Sequence, residues 1–268
     1  IMKTLNDKTY YFISGLPRSG STVLAAILNQ NPEVYVTPTS PMLSVTAAFQ
    51  TVWREDPAVK ANYCDEQGKN LTKALLGAYW EHRNEKIIID KARGWAKNMP
   101  NASNLFGYPI KTISVERDLP SIMASWLTIL KKNPNNSAEQ NLRLKGYLPT
   151  DENLMKEMWF NMVKDCMDGL AQMKQEVPSQ FISIHYDDLI ENPQEQLAKI
   201  TEFLDLPNHE YKFDRIENDT VDDDLVAWGL DGLHTIRSKL EKTSRNPKEV
   251  LGKELYDRFV EIESSYKL

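Results

Sequence analysis

The segment Tyr10–Asn31, YYFISGLPRSGSTVLAAILNQN, constrains the fold of this chain more than any other. Four apolar residues, Tyr10, Tyr11, Phe12 and Ile13, read as a buried strand. The turn GLPRSGST follows, and Val23, Leu24, Ala26, Ile27 and Leu28 then recur with the period of one helix face. A strand, a tight turn and a helix start in direct succession make an anion cradle. Turn N–H groups and the positive end of the helix converge on one point. The spacing Gly15-x-x-x-x-Gly20 matches the opening of the nucleotide-triphosphatase loop GxxxxGK[ST]. Ser21 stands where that loop carries lysine, and the cation of the turn is Arg18, among the hydroxyls of Ser19, Ser21 and Thr22. The pattern predicts a phosphate site that is not of the ATPase kind.

The rest of the chain alternates strands with helices. Pro32 ends the first helix, and Val34–Val36 reads as a short strand. Residues 42–83 predict two helices joined near Asp65–Lys69, with Phe49, Trp53, Tyr79 and Trp80 in the core. Lys86–Asp90 reads as a buried parallel strand ending in a carboxylate. Ligands of open α/β sheets bind at the carboxyl ends of strands, which directs Asp90, Lys91 and Arg93 to the site. Asp90 then reads either as a magnesium ligand of a phosphate-loop enzyme or as the cap of a helix starting near Trp95. Ile110–Glu116 is the next strand. Asp118 suits the cap and Pro120 the first turn of the helix after it.

Asn133–Asp151 is polar and turn-rich, a lid, an acceptor loop or a solvated linker. Asp151–Glu176 predicts a long amphipathic helix packed through Leu154, Met158, Phe160, Met162, Met167 and Leu170. Phe181–Ile184 is a further strand, and Asn192-Pro193 opens a helix carrying Leu197, Ile200 and Leu204 on one face. Asp222–Asp224 reads as a solvated acidic face. The glycines of Gly229–Lys239 allow close approach to a ligand, with His234, Arg237, Ser238 and Lys239 beside them. A last helix runs from about Pro247 to Ser264.

This order predicts one α/β domain over residues 1–268 with a parallel central sheet flanked by helices. A net charge of −6 without a basic stripe argues against nucleic acid as a partner. Cys64 and Cys166 are too few for a disulfide framework and lack metal-ligand spacing. No apolar run approaches the ~20 residues of a membrane span, and no signal pattern precedes the first strand. A cytoplasmic protein is the expectation.

GLPRSGST followed by an apolar helix resembles the 5′-phosphosulfate loop of sulfotransferases that use 3′-phosphoadenosine 5′-phosphosulfate (PAPS). It is closer to the PRSG[ST]T form of tyrosylprotein and bacterial enzymes than to the PKSGTTW form of cytosolic ones. Arg117 with Ser125 eight positions later resembles the family's 3′-phosphate signature. HYDDLIENPQEQLAKITEFLDL resembles its Y-[ED]-D-L-x-x-x-P helix segment, in which His185 reads as structural. Arg93-Gly94-Trp95 resembles a D-x-x-R-x-W pattern of bacterial members.

The resemblance implies a fold like that of phosphate-loop kinases and transfer of a sulfuryl group from PAPS to a hydroxyl or amine. Gly15, Pro17, Arg18, Ser19, Gly20, Ser21 and Thr22 would hold the phosphosulfate, and Arg117 and Ser125 the 3′-phosphate. Arg237, Ser238 and Lys239 would close a late loop over the nucleotide. Arg18 would neutralise charge on the bridging oxygen, with no metal needed. Thr39, Ser40, Lys91, Arg93 and Trp95 would face a small-molecule, carbohydrate or peptide acceptor. The catalytic glutamate of tyrosylprotein enzymes falls near Thr39, which is no base. Two bases remain: Asp90, favoured by position, and His234, favoured by an unperturbed pKa near ~6.5. The rival readings are a phosphate-loop kinase and a catalytically inactive nucleotide-binding module.

Overall fold

The first strand is apolar on both of its faces, so it requires cover on both. In the computed structural model, which describes residues 8–106, 109–217, 223–242 and 246–266, it receives that cover. Tyr10 and Phe12 pack into one core with Ile88, Trp95, Leu127 and Leu170. Tyr11 and Ile13 pack into a second core with Ile27, Ile89, Leu197 and Ile200.

The chain runs β1 (Thr9–Gly15), α1 (Ser21–Leu28), β2 (Val34–Val36), α2 (Met42–Glu55), α3 (Pro57–Ala61), α4 (Asp65–Tyr79), β3 (Ile87–Lys91) and α5 (Trp95–Phe106). It continues through β4 (Thr112–Glu116), α6 (Leu119–Lys132), α7 (Ser137–Leu144), α8 (Asp151–Met158) and α9 (Lys164–Glu176). Then come β5 (Phe181–His185), α10 (Tyr186–Glu191), α11 (Pro193–Leu204), α12 (Asp224–Trp228) and α13 (Pro247–Tyr266). The five strands form one sheet in the order β2-β3-β1-β4-β5, and every neighbouring pair is parallel. The chain leaves β1 for β2 at one edge, returns to β3 between them, and then crosses to β4 on the other side of β1. A crevice therefore opens at the carboxyl end of β1, between the ends of β3 and β4.

Several sequence expectations are corrected. Residues 42–83 hold three helices, because Asp56 caps α3 through the N–H groups of Ala58 and Val59. Asp65 and Glu66 begin α4 instead of joining two helices, where negative charge suits the helix dipole. Of the four aromatics assigned to the core, Trp80 is buried, whereas Tyr79 is exposed and Phe49 and Trp53 are half-buried. Asn133–Asp151 contains α7, capped by Asn136, and contributes nothing to the crevice. A π-helical turn, Trp159–Val163, joins α8 to α9 and shifts the inward face from Met158 to Val163 and Met167. Phe160 is thereby turned out to solvent. Asp118 does cap α6, accepting the Ser121 N–H at 2.8 Å.

Candidate active site

The loop between β1 and α1 is shaped by its backbone. Gly15, Arg18 and Gly20 all adopt positive φ, at 128°, 63° and 98°. A Cβ on Gly15 would lie 2.2 Å from the Val115 carbonyl oxygen, and one on Gly20 2.5 Å from the Tyr186 ring. Glycine is therefore required at both positions. Ser19 is buried and ties the loop to itself by donating to the Leu16 carbonyl at 2.6 Å. No side chain caps α1, whose N-cap is Gly20, and its first turn holds no acid. The first-turn amides of α1 thus carry no side-chain cap, and the positive end of its dipole opens beside Gly20.

The crevice is a cleft of about 760 Å³. Among the described residues, six basic side chains line it (Arg18, Lys91, Arg93, Arg117, Arg237 and Lys239), against two acids, Asp165 and Glu241. Both acids already have cationic partners, Lys97 and Arg237. A basic cleft in a chain of net charge −6 is a local design for an anion.

Long-range contacts assemble the rest. Arg18 Nε donates to Ser125 Oγ at 3.1 Å, and its guanidinium also donates to the Leu233 carbonyl. Arg117 donates to the Arg18 carbonyl at 3.2 Å, and its guanidinium lies 4.4 Å from the centre of the Tyr186 ring. Lys91 Nζ reaches Thr22 Oγ1 at 3.3 Å. A lysine from β3 therefore approaches the loop whose own sequence has serine in the lysine position.

Gly20, Pro17, Ser21 and Thr22 line the cleft with Arg18, while Gly15 sits behind the loop against β4. Thr39, Ser40 and Arg93 line it from the other side, and the Arg93 carbonyl accepts from Ser14 Oγ at 2.6 Å. Trp95 is core: its ring centre lies 4.3 Å from that of Phe12, and it does not reach the cleft. Ser238 is exposed away from the cleft, its carbonyl accepting from Ile216.

Asp90 is fully buried and does not line the cleft. Its Oδ2 accepts from Ser40 Oγ at 2.5 Å and its Oδ1 from the Trp95 indole at 2.8 Å. It therefore caps no helix. Burial pushes its pKa up to about 6, against the opposing pull of these donors. His234 does line the cleft, and Asp224 fixes it twice. The His234 N–H donates to Asp224 Oδ2 at 2.7 Å, and Nδ1 lies 2.5 Å from Oδ1. Asp224 is buried, which corrects the solvated-face reading for that residue; Asp222 lies outside the described residues. Leu233, next to His234, carries the carbonyl bound by Arg18, so this segment sits against the phosphate loop.

Sequence reasoning missed two participants. Tyr186 stands inside the quoted HYDDL string, but only the fold puts its ring against both Gly20 and Arg117. Asp224 lies ten residues before its partner His234 and carried no local signal.

The sheet order and the loop define a phosphate-loop α/β protein whose loop cation is arginine. A profile described as "Sulfotransferase family" matches residues 11–210, and the chain belongs to that family, whose enzymes transfer sulfuryl groups. A Caenorhabditis briggsae protein named "Putative protein-tyrosine sulfotransferase" is 26% identical over 75% of this chain and 67% of its own length. Protein-tyrosine sulfotransferase A of Caenorhabditis elegans is 21% identical over 74% of this chain and 50% of its own length. The chain thus spans between half and about two thirds of these relatives. Among solved structures, the sulfotransferase domain from the curacin biosynthetic pathway superposes over 96% of this chain and 97% of its own, with a TM-score of 0.57 at 15% identity. Mouse sulfotransferase SULT7A1 complexed with PAP superposes over 96% of this chain and 83% of its own, with a TM-score of 0.55 at 12% identity. These likenesses establish the fold. Among the described residues, no helix is long and apolar enough to cross a membrane.

Proposed function

We propose that this protein transfers the sulfuryl group of PAPS to a hydroxyl of a peptide or small-molecule acceptor. The observation that carries the reading is the basic cleft. Arg18, Lys91 and Arg117 converge on a loop that lacks lysine at position 21. A kinase-type loop would present a lysine after Gly20 to a nucleotide with magnesium. Here the positive charge comes from side chains of β1, β3 and β4 ends, which suits a donor carrying two separate anionic groups.

The fit to PAPS follows the two glycine-restricted positions and the cation spacing. The amides at the start of α1, with Arg18 and Lys91, would hold the 5′-phosphosulfate, and Arg117 and Ser125 the 3′-phosphate. Arg18 and Lys91 would neutralise charge that develops on the phosphate oxygen as it leaves sulfur. His234, Arg237 and Lys239 lie on the donor side, because Leu233 is bonded to Arg18. Thr39, Ser40 and Arg93, on the opposite side, would receive the acceptor. The protein-tyrosine names of the relatives support a peptide tyrosine as the first acceptor to assay.

Calorimetry with 3′-phosphoadenosine 5′-phosphate (PAP) and with ATP–magnesium tests the donor. PAP is expected to bind and ATP–magnesium to bind at least tenfold more weakly. Tighter ATP–magnesium binding would turn the assignment to a kinase. Transfer of label from PAPS to tyrosyl peptides and small phenols tests the reaction. PAP binding without transfer to any acceptor would favour an inactive nucleotide-binding module.

A further inference from the structure

The acceptor hydroxyl must lose a proton as its oxygen attacks sulfur, yet Thr39, which lines the cleft, is no base and the nearby carboxylate, Asp90, is sealed from it. Ser40 connects the two. Its Oγ–H donates to Asp90 Oδ2 at 2.5 Å, and its oxygen accepts the Met42 N–H at 3.1 Å. A hydroxyl has one donor and two acceptor sites, so one lone pair remains for an O–H in the cleft that Ser40 lines. We propose that Ser40 takes the proton of the acceptor hydroxyl while passing its own to Asp90, so that a serine–aspartate relay serves as the general base. This inference rests on the sulfuryl-transfer reading above.

The step balances. The acceptor oxygen forms a bond to sulfur, the bond from sulfur to the 5′-phosphate oxygen breaks, and that oxygen leaves with the electron pair. The acceptor proton moves to Ser40 Oγ, the Ser40 proton moves to Asp90 Oδ2, and Asp90 becomes a neutral acid. It returns the proton through Ser40 to water once the product has left.

Three features of the fold suit the role. The Trp95 indole holds Oδ1 in place and so aims Oδ2 at Ser40. Ser40, the outer member of the relay, lines the same cleft as Lys91 and the loop residues Arg18 and Ser21, whereas Asp90 stands behind it on the other face of β3. The polar groups facing Asp90 are Ser40 from the loop before α2, Trp95 from α5 and Trp80 at the end of α4, and none is charged. In that setting burial raises the carboxylate's proton affinity, giving a stronger base than an exposed aspartate. Below its midpoint, near pH 6, Asp90 already holds a proton and the relay is blocked. Turnover should therefore rise with pH through that midpoint and level above it.

The test compares native protein with Asp90→Asn, Ser40→Ala and Ser40→Thr. PAP affinity is measured by calorimetry, turnover from labelled PAPS as a function of pH, and the protonated-carboxyl infrared band by difference titration. Asp90→Asn and Ser40→Ala are expected to lose about 10²- to 10⁴-fold in kcat with PAP affinity intact, whereas Ser40→Thr, which keeps the hydroxyl, recovers most of it. In the infrared, a carboxyl band should disappear as pH rises through about 6. It should be absent in Asp90→Asn and move to higher pH in Ser40→Ala, where a donor to the carboxylate is lost. Should Asp90→Asn fail to fold, Ser40→Ala and its infrared shift decide. Native activity with Asp90→Asn or Ser40→Ala within threefold, or an infrared midpoint unmoved by Ser40→Ala, overturns the relay alone. Failure of the native protein to bind PAP or to transfer label overturns the sulfuryl-transfer reading and the relay with it.

Discussion

The phosphate loop and the segment from Asp224 to Lys239 meet at Arg18, but they are held by different forces. The loop is eight contiguous residues whose shape comes from three positive-φ positions, two of them glycines with no space for a Cβ. The later segment takes its place through side-chain bonds: Asp224 clasps His234, and Arg18 binds the Leu233 carbonyl. Backbone geometry is written in adjacent residues, so it is legible and costly to disturb. Side-chain clasps join residues far apart, so they are hidden in the sequence and individually cheaper to remove.

The largest effect should come where the two regions join. Arg18→Ala removes the loop cation and releases Ser125 and Leu233 together. Turnover is expected to fall by about 10²–10³-fold, in the range of losing one transition-state donor, with little change in melting temperature. Cooperative unfolding on this change would mean that the loop arginine is chiefly structural.

Arg117→Ala probes the loop's far side. Loss of a charged contact to one phosphate costs about 2 kcal/mol, or roughly thirtyfold in affinity for PAP. Adenosine 5′-phosphosulfate, which lacks the 3′-phosphate, should weaken much less. Because Arg117 also holds the Arg18 carbonyl, some loss for both ligands is expected. Equal loss for both would place the Arg117 guanidinium away from the 3′-phosphate.

Gly20→Ala separates backbone control from chemistry, since alanine removes no functional group. The new Cβ meets the Tyr186 ring in a left-handed conformation, at a cost of about 1–3 kcal/mol. Thermal melting should fall by roughly 2–4 °C per kcal/mol for a chain of this size. A melting temperature equal to that of the native protein would show that Tyr186 gives way freely.

The smallest effect belongs to the clasp. Asp224→Asn keeps the shape but loses a charged partner for His234, and should weaken PAP by about fivefold, on the order of 1 kcal/mol. Turnover at saturating PAPS should stay within about twofold. A loss of turnover matching that of Arg18→Ala, with PAP affinity unchanged, would move His234 from the donor side into the proton transfer.

Much of the fold was legible because its signals are local. Apolar runs placed all five strands to within two residues, and Gly15, Gly20 and Arg18 marked the loop directly. Helix starts were readable where a cap stood in the sequence, as at Asp118, and misread where the break depended on one residue, as at Asp56. The cap at Asn136 was likewise submerged in a polar stretch that read as coil.

What the sequence by itself determined is the glycine-bounded loop, the parallel sheet and the residue types available at each strand end, since a short spacing or a short apolar run sets all of these. The tertiary structure decided which of those groups face the cleft. Asp90 and Lys91 are neighbours on β3, yet strand alternation buries the first against Trp95 and sends the second to Thr22. Trp95 went to the core and Ser238 away from the cleft, while Tyr186 and Asp224 entered the site from elements far along the chain. Side-chain direction depends on packing between distant elements, and no window of adjacent residues contains that information.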